Sequence, residues 1–599
     1  MTDFSAAAAP ITADTSSLLG TPLSALIARA PLCLPPDASI QMGAQAMRDA
    51  GVSSVLLMQG AQLCGIVTDR DLRNRVVAQG LSPALPLRQI ASTALHSLPP
   101  QASALDALTL MAQHNIHHVP VLDQARVLGI VTPRNVDARQ SPSVVQLARG
   151  IHKAPDIATL AQLSAQVPAL QQALVHGGAG AQGIGRIVTT VTDAVTTRLI
   201  ALAEQQLGPA PVPWVWVAAG SQARQEQTAR TDQDNALVLA DEYDPVQHGA
   251  YFADFARFVC DGLDACGYIH CPGEMMAMNA QWCQPLAQWR RYFRKWIDQP
   301  EPMALLHSSV FFDLRAVAGH TPLLTQLRQE ELSRAQRSQL FLGHMVGNAL
   351  TQRPPLNWLG NIRPLRGPAH AGCIDLKHSA IAPMVDLARI YALAGGLEAV
   401  NTQERLAQAG ALAGGEVSAA AAQDLGDALA FIAAVRLVHQ ARQADAQQPP
   451  DNFLPLAKLS RFERLQLKQA FKLIQAQQAV LPVFQRFAED SVLVAHNAAF
   501  DMKFLQMLEP RTGIAFRQPV LDTLLLSAVV HPHQESHRLE ALAERFGIPV
   551  LGRHTALGDA MVTAEVWLHL LGQLQAMGIH TLGQAREAAQ QTYFARLKY

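Results

Sequence analysis

The stretch that decides the fold is "GSQARQEQTARTDQDNALVL", Gly220 to Leu239. A Gly-Ser pair is followed by ten spacer residues and then by two aspartates, one residue apart, on an apolar run. In a strand, residues i and i+2 face the same way. The spacing therefore predicts that Asp232 and Asp234 project together and hold one or two divalent cations, Mg²⁺ or Mn²⁺. Magnesium takes hard oxygen ligands and leaves room for water and substrate phosphates. Gly220 lets the backbone approach a phosphate closely, while the Ser221 hydroxyl and the next helix N-terminus offer donors to it. Arg224 is a further phosphate contact, with a guanidinium suited to bidentate binding. "TDQDN" also has the composition of a turn; the metal site is the reading that explains Gly220 and Ser221 as well.

Working outward, "PAPVP" ends a helical segment that runs from about Ser143 to Leu207, and "WVWVAAG" behind it reads as a strand. On the other side lies "LAQWRRYFRKWI", an aromatic and basic helix. Its Arg290, Arg291, Arg294 and Lys295 read first as a solvated face and second as phosphate contacts. "SSVFFDLRAV", Ser308 to Val317, reads as another strand and carries Asp313. From Thr321 to about Glu489 the pattern is helical, interrupted at "LAGGEVS".

Near the start, "LCGIVTDRDLR" (Leu63 to Arg73) recurs as "VLGIVTPRNVD" (Val127 to Asp137). Each copy follows a helix-like segment and an apolar β-run, which predicts two small α/β units about a pseudo-twofold axis. These repeats resemble CBS domains, whose pairs bind adenine nucleotides between the copies. The resemblance assigns the ribose hydroxyls to Thr68 and Asp71 in copy one, and to Thr132 and Asn135 in copy two. An amide in place of the carboxylate still forms hydrogen bonds, without charge assistance. It also implies a homodimer formed through the pair. His114, His117 and His118 lie nearby and read as strand-end packing.

The Gly-Ser, spacer, Asp-x-Asp arrangement resembles the polymerase-β-like nucleotidyltransferase superfamily, in which a later strand supplies a third carboxylate; Asp313 is the match. Together with "GYIHCPGEMMAMNAQW", "FFDLR" and "CIDLKHSAIAPMVDLARIYAL", the chain is similar to bacterial CBS-linked nucleotidyltransferases related to the uridylyltransferase of the PII protein. The resemblance implies transfer from a nucleoside triphosphate by two-metal chemistry. Asp232, Asp234 and Asp313 would be both ligands and catalytic residues. The acceptor would be PII-like or another hydroxyl compound, and the role would lie in signal transduction.

The last block contains "HNAAFD" (His496 to Asp501) and "HTALGDA" (His554 to Ala560). These resemble two motifs of DEDDh 3′–5′ exonucleases, such as the polymerase III proofreading subunit and RNase T. Asp501 and Asp559 would be metal ligands and His554 the general base. No Asp-x-Glu precedes them on an apolar strand, so the catalytic half-site is missing and autonomous exonuclease activity is not expected. From Asp490 onward nine Lys or Arg face ten Asp or Glu, which gives no footprint for a nucleic-acid backbone.

The totals agree. A chain of 599 residues needs several cores. Seven scattered cysteines suit reduced thiols in the cytoplasm. A zinc site from Cys260, Cys266, Cys271, Cys283 and His270 ranks below buried thiols. Neither a signal peptide nor a membrane span is expected. The predicted fold class is multidomain, α/β and α. It comprises a tail (1–21), a CBS pair (22–140), a helical lead-in (141–207), a nucleotidyltransferase core (208–320), a helical domain (321–489) and a truncated RNase H-like exonuclease fold (490–599). The main alternative is a non-catalytic nucleotide-sensing regulator, and the second is an exonuclease.

Overall fold

Alternating apolar runs and turns at the N-terminal end build two similar units. In the computed structural model the first comprises helix α1 (Ile40–Ala50) and the antiparallel strands β1 (Ser54–Gln59) and β2 (Gln62–Thr68). The second comprises α2 (Ala104–His114), β3 (Val119–Asp123) and β4 (Arg126–Val131). The structure describes residues 21–592, apart from 28, 125, 134, 136–143, 230, 358, 414, 479–487, 489–490, 500, 503–504, 506–515 and 550–555. The proposed tail, 1–21, therefore lies almost wholly outside the described residues, as does His554. The chain forms two compact units, Met1–Gln475 and Ala476–Tyr599.

The helical lead-in consists of α3 (Val144–Lys153), α4 (Ile157–Ser164), α5 (Val167–His176) and the long α6 (Ala181–Leu207). Their apolar faces merge into one core with the sheet that follows, since Leu147, Ile151, Val191, Trp216, Leu237 and Phe255 belong to the same buried cluster. The segment that follows supplies β5 (Trp214–Ala219), β6 (Asp232–Gln233), β7 (Asn235–Leu239), α7 (Pro245–Ala265), β8 (Ile269–His270) and β9 (Cys283–Pro285) in succession, of which β5, β7 and β9 lie in the main sheet. β7 runs antiparallel to β5 and parallel to β9, while β6 leaves the main sheet to pair with β8.

Helix α8 (Leu286–Asp298) buries Trp289, Phe293 and Trp296, and the Trp289 indole donates to the Leu237 carbonyl at 3.0 Å. Its basic face is the solvated one: Arg290 is held by both oxygens of Glu330. The segment expected as one strand from Ser308 divides instead. Pro302–Phe311 is helix α9, and β10 (Leu314–Gly319) starts only after Asp313. The buried positions 304, 305, 308 and 311 carry helical periodicity, which outweighs the β-favouring residues. β10 pairs antiparallel with β5.

Beyond it lie α10 (Pro322–Arg337), α11 (Gln339–Ala349), α12 (Ala382–Ala394), α13 (Thr402–Ala411) and α14 (Ala419–Asp445). The Gly-rich break falls between the last two. In the second unit, β11 (Leu493–Ala495) pairs parallel with β12 (Val520–Asp522), followed by α15 (Thr523–Val530), α16 (Leu539–Phe546), α17 (Ala556–Ala576) and α18 (Leu582–Gln590). Among the described residues no helix is long and apolar enough to cross a membrane.

Candidate functional site

The sequence D-Q-D-N sorts its side chains by parity. Gln233 and Asn235 turn inward and are buried, at 3% and 1% exposure. Gln233 donates to the carbonyls of Cys260 and Tyr268, and Asn235 accepts from the Ala277 backbone. These bonds fix the strand, so Asp232 and Asp234 emerge on the opposite side. The strand is not continuous, because Asp234 sits at the break between β6 and β7. Its carbonyl still accepts from the Ala219 N–H at 2.9 Å.

Ligand atoms of Asp232, Asp234 and Cys271 all lie within 4.8 Å of one another, the single such grouping found among the described residues. Cys271 was expected with Cys260, Cys266, Cys283 and His270 in the zinc alternative; that group does not assemble. Burial pushes the Asp234 carboxyl above its usual range, and the neighbouring Asp232 charge adds to the push. Burial also pushes the Cys271 thiol up to about 11, with Asp234 contributing. The trio thus joins two mutually repelling carboxyls to a protonated thiol, an arrangement that a divalent cation would relieve. Two carboxylates provide the hard oxygens that Mg²⁺ or Mn²⁺ takes; a thiol ligand would favour a softer ion.

Gly220 follows β5 with φ +55°, and a Cβ built on it would lie 2.9 Å from Asp234 Oδ2. Only glycine leaves that space open. Ser221 follows in a single helical turn, Gly220–Ala223. Gln222 of this turn donates to Asp193 of α6 at 2.9 Å.

Asp313 is not with the other two aspartates. It is fully buried and surrounded by arginines. Oδ1 accepts from Arg389 and Arg405 at 3.0 and 2.6 Å, and Oδ2 accepts from Arg224 and Arg389, each at 2.7 Å. Burial alone would raise its pKa. Arg389, then Arg405 and Arg224, overturn that effect and hold the carboxyl well below the usual range. Arg224 also binds Glu226 at 3.0 Å, so both this arginine and Asp313 are committed to one another rather than turned to a phosphate or an ion. Arg389 is on α12 and Arg405 on α13. The network therefore ties the helical domain to the Gly-Ser turn, helped by Asn401, which donates to the Arg224 carbonyl at 2.7 Å. No local motif announces Arg389 or Arg405; both lie far along the chain.

In the CBS pair, Thr68 donates from Oγ1 and from its backbone N–H to Asp71 Oδ2, at 2.7 and 2.9 Å. Thr132 makes the matching bonds to Asn135 Oδ1 at 2.6 and 2.8 Å. Thr68 and Asp71 line a cavity of about 520 Å³ between the copies, whereas Thr132 and Asn135 do not. His117 and His118 line it too. Burial first, then His117 and Arg70, lower the His118 imidazole to about 4, so it is neutral at physiological pH.

In the second unit, Asp501 and Asp559 are both exposed and join no three-ligand group among the described residues. The buried Asp522 instead caps the backbone, accepting from Asn497, Ala498 and Leu524.

Comparison with known proteins assigns the domains. CBS models match residues 23–78 and 87–139. "Putative nucleotidyltransferase DUF294" matches 165–303, "Putative nucleotidyltransferase substrate binding domain" matches 339–482, and an exonuclease model of RNase T type matches 428–567. A DNA polymerase III subunit epsilon-like protein of Rhodobacter capsulatus is 43% identical over 171 residues, 26% of this chain and 23% of that protein. A PolC-type DNA polymerase III of Caldanaerobacter subterraneus is 40% identical over 105 residues, 18% and 8% of the two chains. The chain thus spans less than a quarter of the length of these curated relatives. Among solved structures, a CBS domain protein from Pyrobaculum aerophilum complexed with AMP is 27% identical, covering 20% of this chain and 93% of that one, with TM-score 0.19. "A putative signal-transduction protein with CBS domains" from Burkholderia ambifaria is 22% identical, covering 20% and 100%, also with TM-score 0.19.

Proposed function

From a chain that carries a CBS pair, a DUF294 nucleotidyltransferase domain with its substrate-binding domain, and an exonuclease domain, we propose a divalent-metal-dependent nucleotidyltransferase controlled by an adenine nucleotide. The observation that carries this reading is the convergence of Asp232 and Asp234 over the side-chain-free Gly220. A bound Mg²⁺ or Mn²⁺ would neutralise the triphosphate and stabilise the charge that develops in transfer. Asp232 and Asp234 hold that ion, and Gly220 and Ser221 cradle the phosphates. The acceptor oxygen bonds to the α-phosphorus as the bond to pyrophosphate breaks, and the hydroxyl proton passes to solvent water. Residues 208–320 form the catalytic domain, 321–489 the acceptor side, and 141–207 the connection to the CBS pair at 22–140. The acceptor is a hydroxyl group, on a tyrosine of a PII-like signalling protein, on a small molecule or at a nucleic-acid end, and the protein acts as a cytoplasmic homodimer.

The test is transfer of α-labelled ribonucleotides into an extract of the source organism with Mg²⁺ or Mn²⁺. Label that disappears in Asp232→Asn/Asp234→Asn supports a transferase. A second reading, a nucleotide-sensing regulator without catalysis, is favoured by one observation: Asp313 is spent on three arginines, leaving two carboxylates. Nucleotide and metal binding without transfer of any of the four ribonucleotides would establish that reading.

A further inference from the structure

The cavity in the CBS pair has an uneven charge. Arg75 is occupied, donating to the Ile90 carbonyl at 2.6 Å and lying 3.4 Å from Asp71. Arg70 and Arg149 also line the cavity, are exposed, and form no ion pair among the described residues. Both act on His117, whose imidazole is lowered first by burial and then by these two guanidiniums. His118 is neutral, and the arginines supply the positive charge of the cavity. Thr68 and Asp71 line the same cavity. The cavity thus combines hydroxyl-binding and cationic groups, the two chemistries of a phosphorylated nucleoside.

Arg149 does not belong to either repeat. It stands on α3, in the lead-in. Helix α3 is fastened to α6, where Arg198 donates to the Ala154 carbonyl just past the end of α3 at 2.7 Å. Further along α6, Gly185 packs so closely on the transferase that an added Cβ would lie 3.0 Å from the Gln225 carbonyl. Asp193, also on α6, accepts from Gln222 in the Gly-Ser turn and from Arg315 on β10.

We propose that Arg149 is the phosphate-binding residue of the CBS cavity, so that the lead-in helix, and with it α6 and the Gly-Ser turn, is held by a phosphorylated adenosine but not by adenosine itself. This inference rests on the regulatory reading above.

The test is calorimetric titration of the full-length protein with AMP, ATP and adenosine, for wild type and for Arg149→Gln, Thr68→Ala/Asp71→Asn and Arg88→Gln. In wild type, the phosphorylated ligands should bind more tightly than adenosine. Arg149→Gln should weaken AMP by about tenfold or more, the scale of a lost charge-assisted contact, and leave adenosine unchanged. Hydrogen exchange should show AMP protecting residues 144–153 and 181–207 in wild type and not in Arg149→Gln. Equal losses for AMP and adenosine, or an unaltered preference for phosphate, would overturn the assignment. Arg88 is exposed and outside the cavity, so Arg88→Gln should behave as wild type; a similar loss there would reduce the effect to net charge. Binding that survives Thr68→Ala/Asp71→Asn would remove the nucleotide site from this cavity, which is failure of the underlying reading and is separable from failure of Arg149 alone.

Discussion

Asp313 offers two oxygens to three guanidiniums in a site closed to water. Replacing it by Asn keeps the shape, leaves Arg224 with Glu226 and Arg389 with Asp386, and takes from the buried Arg405 its carboxylate partner. Uncompensated buried charge of this kind costs about 3–5 kcal/mol, so Asp313→Asn should lower the denaturant midpoint of unit one sharply. The same carboxyl sets a pH dependence. Its folded pKa is depressed, so its stabilisation is present above the unfolded value and is lost as pH falls from about 4 toward the folded value. Wild type should therefore show an acid-unfolding limb, reported by tryptophan fluorescence, that is flatter in Asp313→Asn. The residue was legible as important but not in its role: "FFDLR" fits a third metal ligand, while its partners lie 89, 76 and 92 residues away. Periodicity and spacing say nothing about contacts at that range. Gly220 was legible as a point of close approach, expected toward a phosphate, and the neighbour it meets in the structure is the Asp234 carboxylate. Gly220→Ala combines a left-handed φ with a Cβ 2.9 Å from Asp234. We expect transferase activity to fall by at least tenfold for about 1–3 kcal/mol of lost stability, the range for a strained backbone position, as measured by label transfer and thermal melting.

At the scale of elements, the strand pair β6–β7 places two carboxylates side by side. Burial and the Asp232 charge raise the folded pKa of Asp234 above its unfolded value, so the ionised form costs stability once pH exceeds the unfolded value. Without metal, Asp234→Asn should accordingly be as stable as wild type or more stable at neutral pH. With metal the order reverses. An ion bound only by the folded state adds about 2.7 kcal/mol at a hundredfold excess over Kd, so Mn²⁺ should raise the melting temperature of wild type and leave Asp234→Asn where it was. The wild-type shift should shrink as pH falls into the carboxylate range, where protons compete for Asp234. A variant destabilised equally with and without Mn²⁺ would show that Asp234 is structural. The strand edge was readable because D-Q-D-N alternates under an apolar run. The helix α9 was not, since "SSVFF" is rich in β-favouring residues and only its burial at 304, 305, 308 and 311 reveals the helical period. Cys271 was visible as a cysteine but not as a neighbour of the aspartates, because β8 and the loop after it approach β6 only in the folded sheet.

For the whole molecule, the matches to the exonuclease model and to the substrate-binding-domain model overlap, over residues 428–482. The exonuclease model matches from residue 428, inside the helix α14, and so begins in a segment that the structure builds as part of the helical domain. The first Asp-x-Glu motif of such enzymes needs a strand. Between 428 and 475 the described residues form the rest of α14, the short strand Phe453–Pro455 and a helix from Arg461, and no Asp-x-Glu occurs anywhere upstream of His496. Two ions in a nuclease of this type are held by four carboxylates acting together; half of that set cannot hold both. Asp501, raised first by burial and then by the Asp522 charge, lies beside a carboxylate already occupied with backbone amides. The full-length protein, assayed with Mn²⁺ on end-labelled single-stranded DNA and RNA, should therefore show no cleavage above buffer. Asp501→Ala/Asp559→Ala should leave that background, and the transferase assay, unchanged. Cleavage abolished by the double variant would mean that carboxylates from elsewhere complete the site, and would make the chain a nuclease.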